Sequence, residues 1–279
     1  MLKDITIGQF FPGNSIIHRL DSRFKIIMDI AYVVMLFVTS NFLGLAAAGL
    51  FMIMIYILSG VGLGLVLKSL RPILPLVAIT CILNLFFIKG DGEPLVNLWD
   101  FITIYPKGVA TSIFMAVRIM FLIIGMSLLT YTTSPIALTD AIERLLSPLK
   151  KLRFPVHELA MMMTIALRFI PTLIEETDKI MSAQKARGAN LDTGGLVKKA
   201  KALIPVLIPL FVSAFKRANE LALAMECRCY RGGEGRTRMK QLKSGARDYT
   251  ALAVMVLMFA GLIMLNIYIP YLGIPYMIP

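Results

Sequence analysis

The chain has 279 residues, 57% of them hydrophobic, with a mean hydropathy of +0.76 and a net charge of +12. That apolar content excludes an ordinary soluble domain and a disordered chain, and places the sequence in the membrane class. In a soluble protein the positive charge would point to nucleic acid. Here the apolar runs need basic flanks on one side of a bilayer, so topology accounts for the charge and no nucleic-acid partner is expected.

Lys3, Asp4, His18, Arg19, Asp21 and Arg23 interrupt the first 24 residues, so no cleavable signal peptide is expected there. Asp21 and Arg23 read as an intramolecular polar pair that fixes this segment. Apolar runs then follow at about 26 to 39, 42 to 58, 72 to 88, 108 to 131 and 249 to 270, and predict five spanning helices. Lys3, Arg19, Arg23 and Lys25 precede the first run, uncharged Ser40-Asn41 follows it, and Lys68 and Arg71 lie in the next connection. The loop from Lys89 to Lys107 balances two lysines against Asp91, Glu93 and Asp100. Residues 133 to 248 hold 20 of the 29 Lys and Arg, and the tail after Asn266 holds none. This alternation puts the amino terminus and residues 133 to 248 in the cytoplasm and the carboxyl terminus outside. Arg118 is the one basic residue inside a run. An intramembrane charge is a functional candidate by default, yet no spaced acids accompany it, and a structural or snorkelling role is the simpler reading. A secondary transporter would carry more polar coupling residues at mid-membrane.

Three helices are predicted in the cytoplasmic connection. The first opens at Ser134-Pro135, a cap followed by a proline in the first turn. Its apolar side holds Leu138, Ile142, Leu145, Leu146 and Leu149, with Asp140 and Glu143 on the polar side. The second runs from Pro155 to Arg187. Its apolar positions recur at the three-four spacing of one helical face, including Leu159, Met162, Met163, Ala166 and Ile170. Glu158, Arg168, Glu175, Asp178, Lys179 and Ser182 occupy the other face, Glu175 and Lys179 at the favourable i,i+4 spacing. Unbroken, it would extend roughly 50 Å; Pro171 should bend it, and Gly188 stands where a left-handed cap residue is wanted. The third, Gly195 to Tyr230, starts with Lys198, Lys199 and Lys201 and passes through an all-apolar run from Leu203 to Phe215. That run is shorter than the ~20 residues of a span and contains Pro205 and Pro209. Such helices suit the membrane interface and a platform for a soluble partner.

The second and third helices each end on an arginine between small residues, Ala186-Arg187-Gly188 and Cys227-Arg228-Cys229. A cation at a helix carboxyl end complements the dipole by only about 0.3 to 1 kcal/mol. Two such arginines, each closing a long helix, are better explained as projecting groups that pair bidentately with carboxylates in a partner's groove.

Catalytic chemistry is missing. No phosphate-binding loop with its lysine and hydroxyl occurs, and Arg231-Gly-Gly-Glu-Gly-Arg236 lacks both, so the chain is expected not to hydrolyse ATP and not to be an enzyme. The two histidines, His18 and His157, have no metal-ligand spacing. Cys81, Cys227 and Cys229 cannot form a disulfide framework. Cys227-x-Cys229 could supply two soft ligands, but without neighbouring partners it reads as a tolerated pair, and no metal site is expected. A membrane-embedded transferase would need clustered acids or histidines at a membrane face, for which Asp21, Asp29 and His18 are the nearest candidates.

The sequence resembles the transmembrane T component of energy-coupling factor (ECF) transporters. The resemblance rests on Gly13-x-Ser15-x-x-His18-Arg19-Leu20-Asp21-x-Arg23-x-Lys25 and on the two Ala-Arg-Gly motifs, the second of which departs as Cys227-Arg228-Cys229. It covers essentially the whole chain. It implies an all-α integral membrane protein with about five transmembrane helices and a cytoplasmic layer of about three amphipathic coupling helices. The corresponding divisions are residues 1–132, 133–246 and 247–279. It also implies a coupling subunit of an ECF-type ABC importer in the prokaryotic cell membrane. Such a subunit joins two ABC-type ATPases, which carry ATP and Mg, to an S component that binds a vitamin or metal ion. The chain itself would carry no cofactor. By carry-over, Ala186, Arg187, Gly188, Cys227, Arg228 and Cys229 would meet the ATPases. Met161, Met162, Met163, Leu203, Leu207, Phe211 and Phe215 would face one or several interchangeable S components, and His18, Asp21 and Arg23 would be structural. A conventional ABC permease is the alternative; it would line its own pathway and normally offers one short coupling helix.

Overall fold

The computed structural model describes residues 10–89, 96–98, 102–189, 195–232 and 244–268. Lys3, the acids of the loop after Lys89, Gly233 to Arg236 and the tail beyond Tyr268 lie outside the described residues.

The helices, in chain order, are α1 (Ser22–Val38), α2 (Phe42–Ser59), α3 (Leu63–Leu70), α4 (Leu74–Phe87), α5 (Pro106–Thr132), α6 (Pro135–Leu145), α7 (Val156–Ala186), α8 (Leu196–Cys227) and α9 (Ala246–Tyr268). Tighter helical turns occupy Arg71–Ile73 and Ser147–Leu152. Between α4 and α5, β1 (Val96–Leu98) pairs antiparallel with β2 (Ile102–Ile104), a small addition to an otherwise helical chain.

The described residues form two compact units, one up to residue 141 together with 244–268, the other from 142 to 232. In the first, α1 packs against α5 and α9, and α5 also against α2, α3 and α4. Its core holds Tyr32, Met35, Leu36, Ala48, Phe114 and Tyr131. Close approach is made by small residues, as expected where lipid removes much of the hydrophobic drive. A Cβ on Gly49 would lie 2.3 Å from the Phe121 ring, and one on Gly125 would lie 2.8 Å from Tyr32. The Ser112 hydroxyl donates to the Cys81 carbonyl at 3.1 Å, tying α5 to α4.

Within this unit the helix directions alternate. Lys25 Nζ, at the start of α1, donates to the Thr132 carbonyl at the end of α5 (2.9 Å), and the Asp21 amide to Asp248 Oδ1 at the start of α9 (2.8 Å). At the other end, Asn41 Nδ2 donates to Asn266 Oδ1 (2.8 Å), and Asn266 to the Val38 carbonyl (3.2 Å).

Among the described residues six helical stretches are long and apolar enough to cross a membrane, and the protein is a multi-pass membrane protein. They are Phe42–Ser59, Gly64–Phe87, Pro106–Thr132, Val156–Ala186, Ala200–Cys227 and Ala246–Tyr268. Two expectations change. Lys68 and Arg71 are not in a loop: α3, the turn at Arg71–Ile73 and α4 make one helical path, tightened where Pro72 and Pro75 withhold amide donors. The stretches in α7 and α8 also pass the length test expected of spans alone. The first expected span, α1, has 17 residues and extends about 25 Å, at the short end of what a spanning helix needs.

Candidate functional site

In the second unit α7 and α8 pack together. Ser213 donates to Glu176 Oε1 (2.6 Å), Arg217 donates through one nitrogen to Oε2 of the same carboxylate (2.5 Å), and Gln184 Nε2 reaches the Pro205 carbonyl (3.4 Å). Later residues of α7 therefore meet earlier residues of α8, and the helices run antiparallel. The Gln184 contact has a local cause. Pro209 has no amide hydrogen, so the Pro205 carbonyl lacks its helical donor and accepts one from α7 instead.

Both helix ends fold identically. After α7, the Gly188 amide donates to the Lys185 carbonyl (3.0 Å) and the Ala189 amide to that of Gln184 (3.0 Å), with Gly188 at φ +87°. After α8, the Cys229 amide donates to the Glu226 carbonyl (2.8 Å) and the Tyr230 amide to that of Met225 (3.0 Å), with Cys229 at φ +55°. Each is a Schellman motif, and Arg187 and Arg228 occupy the same C-cap position in each. The cysteine substitution thus keeps the backbone turn that glycine makes at the first end, against the steric preference of a residue with a Cβ. Ala186, Arg187, Gly188, Cys227, Arg228 and Cys229 are all exposed. Neither guanidinium has a hydrogen-bond partner among the described residues.

The antiparallel packing sends the two arginines to opposite ends of the pair. Pro205 stands beside Gln184, one turn from Arg187, and the helix from Pro205 to Arg228 extends roughly 35 Å. Between these ends α8 exposes a row spaced by four, with Leu203 at 42%, Leu207 at 45%, Phe211 at 61% and Phe215 at 68%. On α7, Met162 and Met163 are exposed and Met161 is half-buried.

His18, Asp21 and Arg23 lie in the first unit and are not part of this site. Ser15 Oγ and the Phe11 carbonyl engage the two ring nitrogens of His18 at 2.7 and 3.0 Å. Gly13 is required there, since a Cβ would lie 2.7 Å from the ring. Asp21 caps α1 by accepting from the Arg23 amide (2.9 Å), and its carboxylate takes the Arg23 side chain at 2.6 to 3.1 Å. That hydrogen bond, outweighing burial, raises the Arg23 guanidinium above its ordinary range. Arg23 and Lys25 precede the apolar run of α1; burial pushes the Lys25 ammonium down to about 8 while it serves the His18 and Thr132 carbonyls. Asp248 gave no signal in the sequence. It is buried and accepts from the Asp21 amide and, through Oδ2, from the Gly245 amide (2.7 Å).

Arg118 plays a structural role, since its guanidinium reaches the Thr39 carbonyl that ends α1 and stacks 4.5 Å from the Phe114 ring. Ser134 caps α6 as expected, accepting from the Ala137 amide (3.3 Å). Glu143, expected on a polar face, is instead buried and bonded to His157 Nδ1 at 3.1 Å, because the first turn of α7 brings the imidazole against α6. Among the described residues no group of three or more His, Cys, Asp or Glu is placed to hold a metal.

Residues 13–239 match the CbiQ family, described as cobalt transport protein. Three relatives carry the name energy-coupling factor transporter transmembrane protein EcfT. That of Clostridium kluyveri is 56% identical over 251 residues, covering 90% of this chain and 93% of its own length. That of Thermosediminibacter oceani is 53% identical over 263 residues (94% and 98%), and that of Bacillus subtilis 45% over 266 residues (95% and 100%).

Proposed function

The chain belongs to the CbiQ family and, within it, to the transmembrane T components of ECF transporters; from that membership we propose that it is the non-catalytic coupling subunit of an ECF-type ABC importer. In this reading it joins two ABC-type ATPase subunits to a substrate-binding S component, for uptake of a vitamin or metal ion across a prokaryotic cell membrane. ATP and Mg are bound by the ATPases. The amino terminus and residues 133–246 face the cytoplasm.

The observation that supports this reading best is the pair of equivalent helix ends. Arg187 and Arg228 stand at the same position of the same cap, exposed, at opposite ends of one antiparallel pair. Ends roughly 35 Å apart serve two separate grooves better than one, and each guanidinium can take a carboxylate bidentately there. Closure of the ATPases on ATP then loads both ends of the pair together. The exposed row Leu203, Leu207, Phe211 and Phe215, with the α7 methionines, offers the S component an apolar face whose Met side chains accommodate more than one partner.

Co-purification from native membranes tests the assignment, comparing the tagged wild type with Arg187→Glu, Arg228→Glu and the double variant. The wild type is expected to bring down two nucleotide-binding subunits and a small membrane protein. Each single variant should weaken ATPase retention, and the double variant should lose it while remaining folded. Retention of both ATPases by the double variant overturns the reading.

A further inference from the structure

In the first unit an apolar chamber of about 350 Å³ lies among α1, α2, α5 and α9. Met28, Met52, Leu58, Leu129 and Val254 are among its walls. Beside it is a cleft of about 410 Å³ formed by Asn14, Ile16, Arg19 and Arg247. Ile16 and Arg247 line both spaces, so the chamber meets the cleft at Arg247, with Arg19 on the cleft's wall. Both arginines are exposed, and neither guanidinium has an ion-pair or hydrogen-bond partner among the described residues.

Tyr32 also lines the chamber and is 2% exposed, so its ring is part of the packed apolar wall. Besides Arg247, the charged groups of the wall are Lys25 and Asp29. The Lys25 ammonium is already committed to backbone carbonyls, so Arg19 and Arg247 are the cations free to meet a ligand.

An apolar chamber that meets a cleft bearing two unpaired cations, at one end of a membrane bundle, suits an amphiphile with a hydrocarbon tail and an anionic head. Guanidinium groups match phosphate in geometry as well as charge, and basic groups at the membrane surface favour anionic lipid. The volume is at the low end for a ligand pocket, so it receives part of one chain rather than a whole lipid. We propose that this is a binding site for an anionic phospholipid. Arg19 and Arg247 hold the phosphate with Asn14 beside it, and one acyl chain enters the chamber. The proposal needs only the membrane bundle and is independent of the coupling role.

The test uses the delipidated full chain in neutral detergent, with native mass spectrometry for retained lipid and the thermal unfolding midpoint as a second readout. The probes are phosphatidylglycerol, phosphatidylcholine with the same acyl chains, and inorganic phosphate. Phosphatidylglycerol should be retained about thirtyfold over phosphatidylcholine, the scale set by two basic groups at an anionic headgroup, and should raise the midpoint. Arg19→Gln with Arg247→Gln should abolish that preference, and Arg19→Lys with Arg247→Lys should keep most of it. Ala251→Phe, which fills the chamber and spares the cations, should reduce retention of both lipids. Equal retention of the two lipids by wild type, or undiminished preference in the glutamine variant, overturns the proposal. Protection by inorganic phosphate equal to that by phosphatidylglycerol also overturns it, since the cleft would then be a plain anion site.

Discussion

Exchanging the two cap residues tests the equivalence of the arginine-bearing helix ends. Cys229 holds φ +55° where the other end has Gly188 at φ +87°. A residue with a Cβ gives up about 1 to 2 kcal/mol to enter the left-handed region. Glycine's greater freedom in the unfolded chain offsets about 0.5 to 1 kcal/mol of that. The balance favours glycine by about 0.5 to 1 kcal/mol. A Cβ built on Gly188 meets no atom within 4 Å, so the penalty at that end is purely conformational. Cys229→Gly should therefore tighten the end of α8, and Gly188→Cys should loosen the end of α7 by a similar amount. At 1.36 kcal/mol per tenfold, this is about a two- to fivefold change in local opening. Amide hydrogen exchange reads it, corrected for intrinsic rates. Exchange at residues 229 and 230 should slow in Cys229→Gly, and exchange at 188 and 189 should quicken in Gly188→Cys. Faster exchange in Cys229→Gly, or the same sign of change in both variants, would refute the equivalence.

Two further perturbations probe the membrane unit. In Asp248→Asn one carboxylate oxygen becomes an NH2 facing an amide donor, at Asp21 or Gly245. About 1 to 3 kcal/mol of stability should be lost, and an unchanged unfolding midpoint in detergent would refute the role assigned to the buried carboxylate. Gly49→Ala drives a methyl into the Phe121 ring and should cost about 1 to 3 kcal/mol. Combining it with Phe121→Leu should recover part of that loss; strictly additive effects would show that the two residues do not meet.

The spans α2, α5 and α9 were legible because apolarity over more than 17 residues has few other causes, and the end of α7 because Gly188 marks the turn. The continuous path from α3 into α4 was not, since Lys68, Arg71, Pro72 and Pro75 carry the local marks of a loop while packing against α5 keeps the backbone helical. Glu143 obeyed the periodicity of α6 and still turned inward, because periodicity does not know that His157 will arrive. Asp248 lies 227 residues from the amide it accepts, a distance at which a single sequence offers no pairing signal. Of the candidate site, the arginines were visible as residue types. Their shared cap geometry and their placement at opposite ends were not, because Cys229 disguises the second turn and the antiparallel register depends on Glu176, Ser213 and Arg217.

The tie between Asp21 and Asp248 also bears on how the protein is made. The cap of α1 has a buried backbone amide, that of Asp21, whose acceptor belongs to α9. Until α9 has been synthesised, that amide and the neighbouring segment wait without their final partner, while more than two hundred intervening residues are translated. Completion of the membrane bundle therefore waits for α9. A nascent chain stalled before Asp248 would present an unfinished α1 to insertion and quality-control machinery, so premature termination is felt at α1 as well as at α9.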